Sequence, residues 1–526
     1  MLVDADHLES GQVIDADVCI IGAGAAGITI AREFAKTRTG VCLLEGGSLE
    51  GDAASQSLYE TIRNVGRDYP SLHGSRTRFF GGSTNCWTGH CMPLRAVNFE
   101  KLSWSRYTGW PISLADLQPY YRRAEVILGL STTRCDAASI AARLGLKLLP
   151  FDPTRILTEF SPYDPVRFGQ VFRKELADAS NIQVVPGANV TSIEAHKDGQ
   201  RIERVAVRTL RGRNLGVRAR VFVLGTGGIE NARTLLASDS VHAKGLGNEH
   251  DLVGRFFMTH IWYSSGLILP ASQQVSFDLY TKDISAGKSA GEIACHANLV
   301  LPEQVVRQGG IPDFRAALNT SHTLRYKEAV HSAQVLKESI GKFDWPDDIG
   351  RHLANIIGHP GDVLSAARHR GGALVLLLKN VSEQAPNPTS RINLAHEKDA
   401  LGMPVATIDW RLSDIDKHGI RYAHSCIAKE VGRSGFGRMF IELPDDEPEL
   451  LAGADGGAHH MGTTRMHDSP RLGVVDKNCR VHGIGNLFVA GSSVFPTGGC
   501  ANPTLTIIAL ATRLSDHIKA GLHAGV

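Results

Sequence analysis

Nowhere in the 526 residues do apolar side chains run for the roughly twenty positions that a bilayer-crossing helix requires, which excludes a helical membrane span. The sequence also lacks an excess of either charge: 56 Lys and Arg stand against 54 Asp and Glu, and no basic run is interleaved with aromatics. Neither nucleic acid nor an anionic membrane is therefore an expected partner, and a small neutral molecule fits better. Paired cysteines are absent as well. The nine Cys are odd in number, scattered and free of CxxC spacing, which argues against a disulfide framework and for a reducing compartment. Met1 to Glu9 is acidic and lacks the basic start and apolar core of a signal peptide, so a cytoplasmic location is expected. His459, His460 and His467 have no carboxylate or cysteine at ligand spacing, and no metal is expected.

What is present is organised around Ile20 to Gly47. Val18-Cys19-Ile20-Ile21 reads as a buried strand in which Cys19 acts as a small hydrophobe. It stops at Gly22-Ala23-Gly24-Ala25-Ala26-Gly27, and Ile28 to Phe34 repeats apolar residues at helical spacing. A second strand, Val41 to Leu44, ends on Glu45, where a ribose-binding carboxylate belongs. Gly22 makes the turn, Gly24 lets the backbone approach a pyrophosphate, Gly27 lets helix and strand pack closely, and the helix N-terminus offers free N–H groups to phosphate. Dinucleotide binding follows from this placement.

A length of 526 residues, 43% of them hydrophobic, predicts two domains. Phe79-Phe80-Gly81-Gly82-Ser83-Thr84-Asn85-Cys86-Trp87-Thr88-Gly89 pairs a Gly/Ser turn with aromatics that favour burial; Trp87 and Trp110 read as packing residues. Ser113 is the expected N-cap of a helix over Leu114 to Leu128. Strand-like Ile182 to Val185, Val190 to Ile193 and Val205 to Thr209 lead to Val221 to Leu224, a Gly225-Thr226-Gly227-Gly228 turn and a helix over Ala232 to Ala237, so the dinucleotide domain resumes there. Between Ile261 and Leu451, alternating strands such as Met403 to Trp410 and helices over Tyr326 to Ile340 and Ile349 to Ile357 predict an inserted domain on an antiparallel sheet. The last seventy residues return to glycine and strand, and Asn502-Pro503 reads as an N-cap and first helical residue. Such a helix directs about half a positive charge at what lies before it.

In this order Gly22-x-Gly24-x-x-Gly27 with Glu45, Gly81-Gly82-Ser83, Gly225-Thr226-Gly227-Gly228, and His459-x-x-Gly462-Thr463 with the Asn502-Pro503 helix resemble the glucose-methanol-choline (GMC) family of flavin oxidoreductases over nearly the whole chain. His459-His460-Met461-Gly462 and Gly499 to Thr506 look most like its pyranose oxidase and glycoside 3-oxidase branch. The resemblance implies an α/β fold: a Rossmann-like FAD-binding domain (1–95, 181–262 and 452–526) with an inserted α+β substrate-binding domain on an antiparallel sheet (96–180 and 263–451). It implies FAD contacts at Gly22, Gly24, Ala26, Gly27, Glu45, Gly81, Gly82, Ser83, Asn85, Cys86, Thr88, Val190, Gly225, Gly491, Pro503 and Thr504. Cys86 stands where pyranose oxidases carry the histidine joined to flavin, so the FAD is expected to be held without a covalent bond. Thr88 keeps the position of a threonine near the reactive flavin edge.

The residues alone do not choose between His459 and His460 as a base; the resemblance selects His459. Asn502 takes the place of a second histidine found in many family members, and its alternative reading is a helix cap. The implied reaction is oxidation of a secondary sugar or glycoside hydroxyl, C3 preferred over C2, to a ketone. His459 takes the proton, hydride passes to flavin N5, and oxygen or another acceptor reoxidises the flavin. An ordinary histidine pKa near 6.5 would make the rate rise through pH 6 to 7. The alternatives are an inactive nucleotide-binding module and a GMC dehydrogenase acting on a non-sugar alcohol.

Overall fold

The computed structural model describes the chain apart from residues 61–62, 70–73, 131–135, 273–276, 282–283, 286–293, 323–327, 343–344, 347, 362, 365–373, 442, 444–453 and 525–526. Strands Val13–Ile21 and Val41–Leu44 bury Val18 to Ile21 and all four residues of the second, the pattern of parallel strands covered by helices on both faces. Their register sets Cys19 beside Cys42. Both are free thiols; burial pushes them up in pKa, Cys42 to about 12, so they pack as apolar groups. Ile182–Val185 extends the sheet beyond Val41–Leu44, Asn214–Leu224 pairs with the other side of Val13–Ile21, and Leu487–Val489 adds another parallel strand. An antiparallel hairpin, Asn189–Ala195 with Ile202–Arg208, joins the N-terminal half of Asn214–Leu224. Helices Ala25–Phe34 and Thr504–His523 pack on each other over this sheet. Side chains such as Ile20, Phe34, Val223 and Leu505 are buried in this core, each contributing about 1.5–3 kcal/mol.

The second sheet has eight strands among the described residues. Ala294–Val300, Phe314–His322, Leu374–Glu383 and His260–Pro270 pair antiparallel in that order, and Leu157–Tyr163 joins Ala294–Val300. The expected helices stand at Glu328–Lys342 and Ile349–Gly358; Tyr326 lies outside the described residues. The helix after the Gly225 turn begins at Gly227, one turn and more before the expected Ala232. A short helix, Ala53–Ser57, follows the strand that ends before Glu45.

The packing divides the chain differently from the sequence pattern. Helix Leu114–Ile127, expected on the substrate side, buries Leu117 and Tyr121 in the core of the nucleotide sheet, and the Tyr121 hydroxyl bonds that of Thr506 at 2.8 Å. Strands Arg391–Lys398 and Pro404–Asp409 likewise place Ile392, Ala406 and Ile408 in that core. Leu149 and Ile156 pack instead with the antiparallel sheet.

Candidate active site

Three helix N-termini meet at one cavity of about 460 Å3, lined among others by Ala25, Ala26, Gly227, Gly228, Pro503 and Thr504. The residues preceding these helices, Gly24, Thr226 and Pro503, provide no side-chain cap, whereas Ser113 closes Leu114–Ile127 by accepting from the Asp116 N–H. Uncapped N–H groups and three helix dipoles thus favour negative charge in the cavity. The glycines explain the close approach. Gly22 turns at φ +99°, and a Cβ on Gly27 would meet the Gly22 carbonyl oxygen at 1.9 Å, so only glycine lets the helix lie on the strand. A Cβ on Gly24 would meet nothing of the protein within 4 Å; it would fill the cavity that Gly24 lines. Glu45 accepts from the N–H groups of Ala23 and Gly47, both at 2.9 Å, and burial pushes its pKa up. Its oxygens retain lone-pair capacity at the cavity wall. A pyrophosphate and a ribose diol fit this cradle.

His459 and Asn502 line the same cavity. Strand Asp455–Gly456 pairs with His260–Pro270, and the Gly457 N–H donates to the His260 carbonyl at 2.9 Å, which ties the loop carrying His459 to that strand. His260 and Trp262, two residues apart, share a strand face. The His459 ring meets both edge to face, at centroid distances of 4.8 and 5.9 Å. His260 Nδ1 lies 2.6 Å from His459 Nδ1, and His260 Nε2 lies 2.8 Å from the Gly499 carbonyl oxygen. Asn502 is not the helix cap: Pro503 occupies that position, and Asn502 Oδ1 accepts instead from Arg315 Nη2 at 2.7 Å. A long-range cation has taken the oxygen that a cap would use, turning the amide nitrogen toward His459 Nε2, 3.5 Å away. Glu383 accepts from the N–H groups of Gly498 and Gly499 at 3.1 and 2.8 Å and of Asp313 at 2.9 Å, so it holds the loop that leads to Asn502.

Burial, reinforced by His260, Arg315 and His460, holds the His459 pKa well below the ordinary histidine value. Desolvation likewise lowers His260 to about 4 and His460 to about 3. All three are neutral at pH 7, which corrects the expected titration of His459 between pH 6 and 7: its water-exposed value does not survive burial. The His460 ring stacks on Phe257 at 6.0 Å and leans on Tyr69 at 5.8 Å, while its Nε2 has no hydrogen-bond partner among the described residues. Burial raises the pKa of the Cys86 thiol, which donates to the Ser83 carbonyl at 3.4 Å.

Of the residues expected from sequence, Gly22, Gly24, Ala26, Glu45, Gly82, Ser83, Cys86, Thr88, Val190, Gly225, Gly491, Pro503 and Thr504 line the cavity with His459 and Asn502. Gly27, Gly81 and Asn85 do not line it; they shape its walls. Gly81 turns at φ +102°, where a Cβ would meet the Gly169 nitrogen at 2.6 Å, and Asn85 Nδ2 donates to the Phe80 carbonyl at 3.0 Å. Sequence reasoning missed His260, Trp262, Arg315 and Glu383. Arg315 alone left a signal, a single cation within apolar Phe314-Arg315-Ala316-Ala317-Leu318, where burial demands a partner. Also missed was a buried ion network on the cavity wall, in which Glu230 bonds Arg76 at 3.1 Å and Arg233 at 3.2 Å, and Arg233 bonds Asp399 at 2.6 Å.

Residues 17–243 match the FAD dependent oxidoreductase family and residues 386–511 the GMC oxidoreductase family. The chain is 26% identical to 6'''-hydroxyparomomycin C oxidase of Streptomyces lividus, over 99% of this chain and 94% of that one. It is 24% identical to 2-methyl-1,2-propanediol dehydrogenase of Mycolicibacterium austroafricanum, over 96% and 95%. A shorter stretch is 35% identical to C-glycoside 3-oxidase of Microbacterium trichothecenolyticum, over 23% and 22%. The fold is shared with pyridoxine 4-oxidase from Mesorbium loti, at a TM-score of 0.58 and 17% identity over 96% of this chain and 99% of that one. Fold and cradle thus define an FAD-dependent oxidoreductase. Within that class, residues 386–511 carry the GMC oxidoreductase C-terminal domain.

Proposed function

We propose that this enzyme oxidises a secondary hydroxyl of a sugar or glycoside to the ketone. The observation that carries the reading is the pair His459 Nε2 and Asn502 Nδ2, 3.5 Å apart on the cavity wall beside the indole of Trp262. FAD, when bound, supplies the two-electron acceptor, and its ring chemistry is the cofactor's own. Glu45 would hold the ribose, the N-terminal turn of Ala25–Phe34 would face the pyrophosphate, and Cys86, Thr88, Gly491, Pro503 and Thr504 would complete the cofactor wall. The protein makes no covalent bond to the flavin, since a protonated thiol at Cys86 is a weak nucleophile.

A hydroxyl oxygen placed between His459 and Asn502 donates its proton to His459 Nε2 and accepts from Asn502 Nδ2, so that charge developing on oxygen meets a directed donor as the proton leaves. Arg315 keeps Asn502 in that orientation. Trp262, with 44% of its surface exposed, offers an apolar face to the C–H groups of a ring substrate. The C-glycoside 3-oxidase likeness and the non-histidine residue at position 86 favour C3 over C2. The full-length likeness to a propanediol dehydrogenase favours a second reading, a small non-sugar alcohol.

One experiment separates them. The yellow holoenzyme is mixed anaerobically with pyranoses, O- and C-glycosides, choline and 1,2-diols, and then reoxidised with oxygen or an artificial acceptor. Bleaching by a sugar or glycoside with a 3-keto product is expected. Efficient turnover of choline or a small diol without sugar activity overturns the assignment.

A further inference from the structure

We infer that His260 is a positioning residue that fixes the tautomer of His459, leaving the basic lone pair on Nε2; the inference rests on the reading of His459 as the proton acceptor.

The Gly499 carbonyl can only accept, so His260 Nε2, 2.8 Å away, carries a hydrogen and donates it. A neutral imidazole has one N–H, so His260 Nδ1 holds a lone pair. It lies 2.6 Å from His459 Nδ1, and a contact that short between two ring nitrogens needs one hydrogen, which must come from His459. His459 is then N–H at Nδ1 and bare at Nε2. The Asn502 amide agrees: Arg315 occupies Oδ1, so Nδ2 presents hydrogens to His459 Nε2.

Reversing the pattern breaks contacts at both ends. With a hydrogen on His260 Nδ1, Gly499 loses its donor inside the protein, and a hydrogen on His459 Nε2 would face the hydrogens of Asn502. Losing such buried bonds biases the tautomers by roughly 10- to 100-fold. The anchor is itself secured, because Glu383, which pairs across the sheet with His260, accepts from the Gly499 N–H. An imidazole also does here what a carboxylate would not. A carboxylate would orient the ring equally well but stabilise its protonated form, whereas a neutral acceptor orients it and leaves it free to take a proton.

The test compares wild type, His260→Leu and His260→Gln as holoenzymes. Glutamine can accept through Oε1 and donate through Nε2, so it restores both contacts, while leucine restores neither. We expect His260→Leu to slow anaerobic flavin bleaching by the substrate about 10- to 100-fold with little change in substrate affinity, and His260→Gln to recover most of that loss. Nitrogen-15 spectra of histidine-labelled protein read the tautomer without any substrate, the His459 signals being those missing from His459→Ala. Nδ1 should resonate as protonated and Nε2 as bare in wild type, with the two forms mixed in His260→Leu. A wild-type spectrum with hydrogen on Nε2, or a wild-type bleaching rate in His260→Leu, overturns the inference. If leucine prevents folding, the glutamine variant and the wild-type spectrum decide it. Normal bleaching by His459→Ala would instead sink the assignment of the base, an outcome the tautomer spectrum does not share.

Discussion

Replacing His459 by alanine should slow reduction of the flavin by substrate about 100- to 10,000-fold, or about 3 to 5 kcal/mol of barrier, the contribution of a positioned acid–base group. The surroundings place the effect in the upper half of that range. His260 Nδ1 lies behind the His459 ring and His260 Nε2 is engaged by Gly499, while His460 is packed between Phe257 and Tyr69, so neither stands ready as a substitute base. The structural cost is separate: His260 Nδ1 loses its partner, about 1–3 kcal/mol of stability if left unsatisfied, which lowers Tm without touching the chemistry. FAD should stay bound. Anaerobic stopped-flow absorbance of wild type, His459→Ala and His460→Ala measures this directly. His460→Ala should lose much less rate, because its carbonyl, which accepts from Ser492 Oγ at 2.7 Å, holds the loop whatever its side chain. Near-normal reduction in His459→Ala, with His460→Ala folded, yellow and inactive, would show that the wrong histidine has been chosen. The wild-type rate should also be flat through pH 6 to 7 with respect to His459, because burial keeps it neutral there.

Asn502→Ala should fall between these two in rate and should destabilise the protein by about 1–3 kcal/mol, through the hydrogen bond that the buried Arg315 Nη2 loses rather than through a lost helix cap, as thermal melts of the variant will show. Gly24→Ala should leave the melting temperature of the apoprotein nearly unchanged while weakening FAD binding, whereas Gly27→Ala should disrupt the apoprotein itself; equal melting losses would refute the cradle geometry. The folded pKa of His460, about 3, lies below the unfolded value near 6.5, so its contribution to stability is present above pH 6.5 and lost as pH falls toward 3. His460→Phe should therefore gain on wild type by about 1.4 kcal/mol per pH unit on acidification through that window, read as the difference in denaturation midpoints; a pH-independent difference would contradict it. Acid precipitation should leave the yellow colour in the supernatant, and colour in the pellet would mean that Cys86 or another residue bonds the flavin.

The nucleotide half was legible because its demands are local. Gly22 answers to its own turn at φ +99° and Gly27 to the Gly22 carbonyl just before it, and Val18 to Ile21 and Val41 to Leu44 announce their burial as unbroken apolar runs. The substrate side is a product of register. Glu383 faces His260 from 123 positions along the chain and Arg315 faces Val381, so the residues that orient His459 and Asn502 come from three strands whose pairing no local pattern specifies. Asn502 shows how the two levels compete. Asn before Pro reads locally as a cap, yet Arg315 takes its oxygen, and a residue that would have closed a helix is left to line the cavity. The same competition sets the electrostatics. Burial, reinforced by His260 and then Arg315, disfavours a positive charge on His459, which is why that histidine stays unprotonated. Asp313, which also pairs with Arg95, and Glu159 temper the Arg315 charge, while Glu383, pushed up to about 7 by burial and then by Asp313, holds the glycine loop. The Asn502 amide that Arg315 orients is thus the donor available to an oxygen on which negative charge would develop as an alcohol gave up its proton.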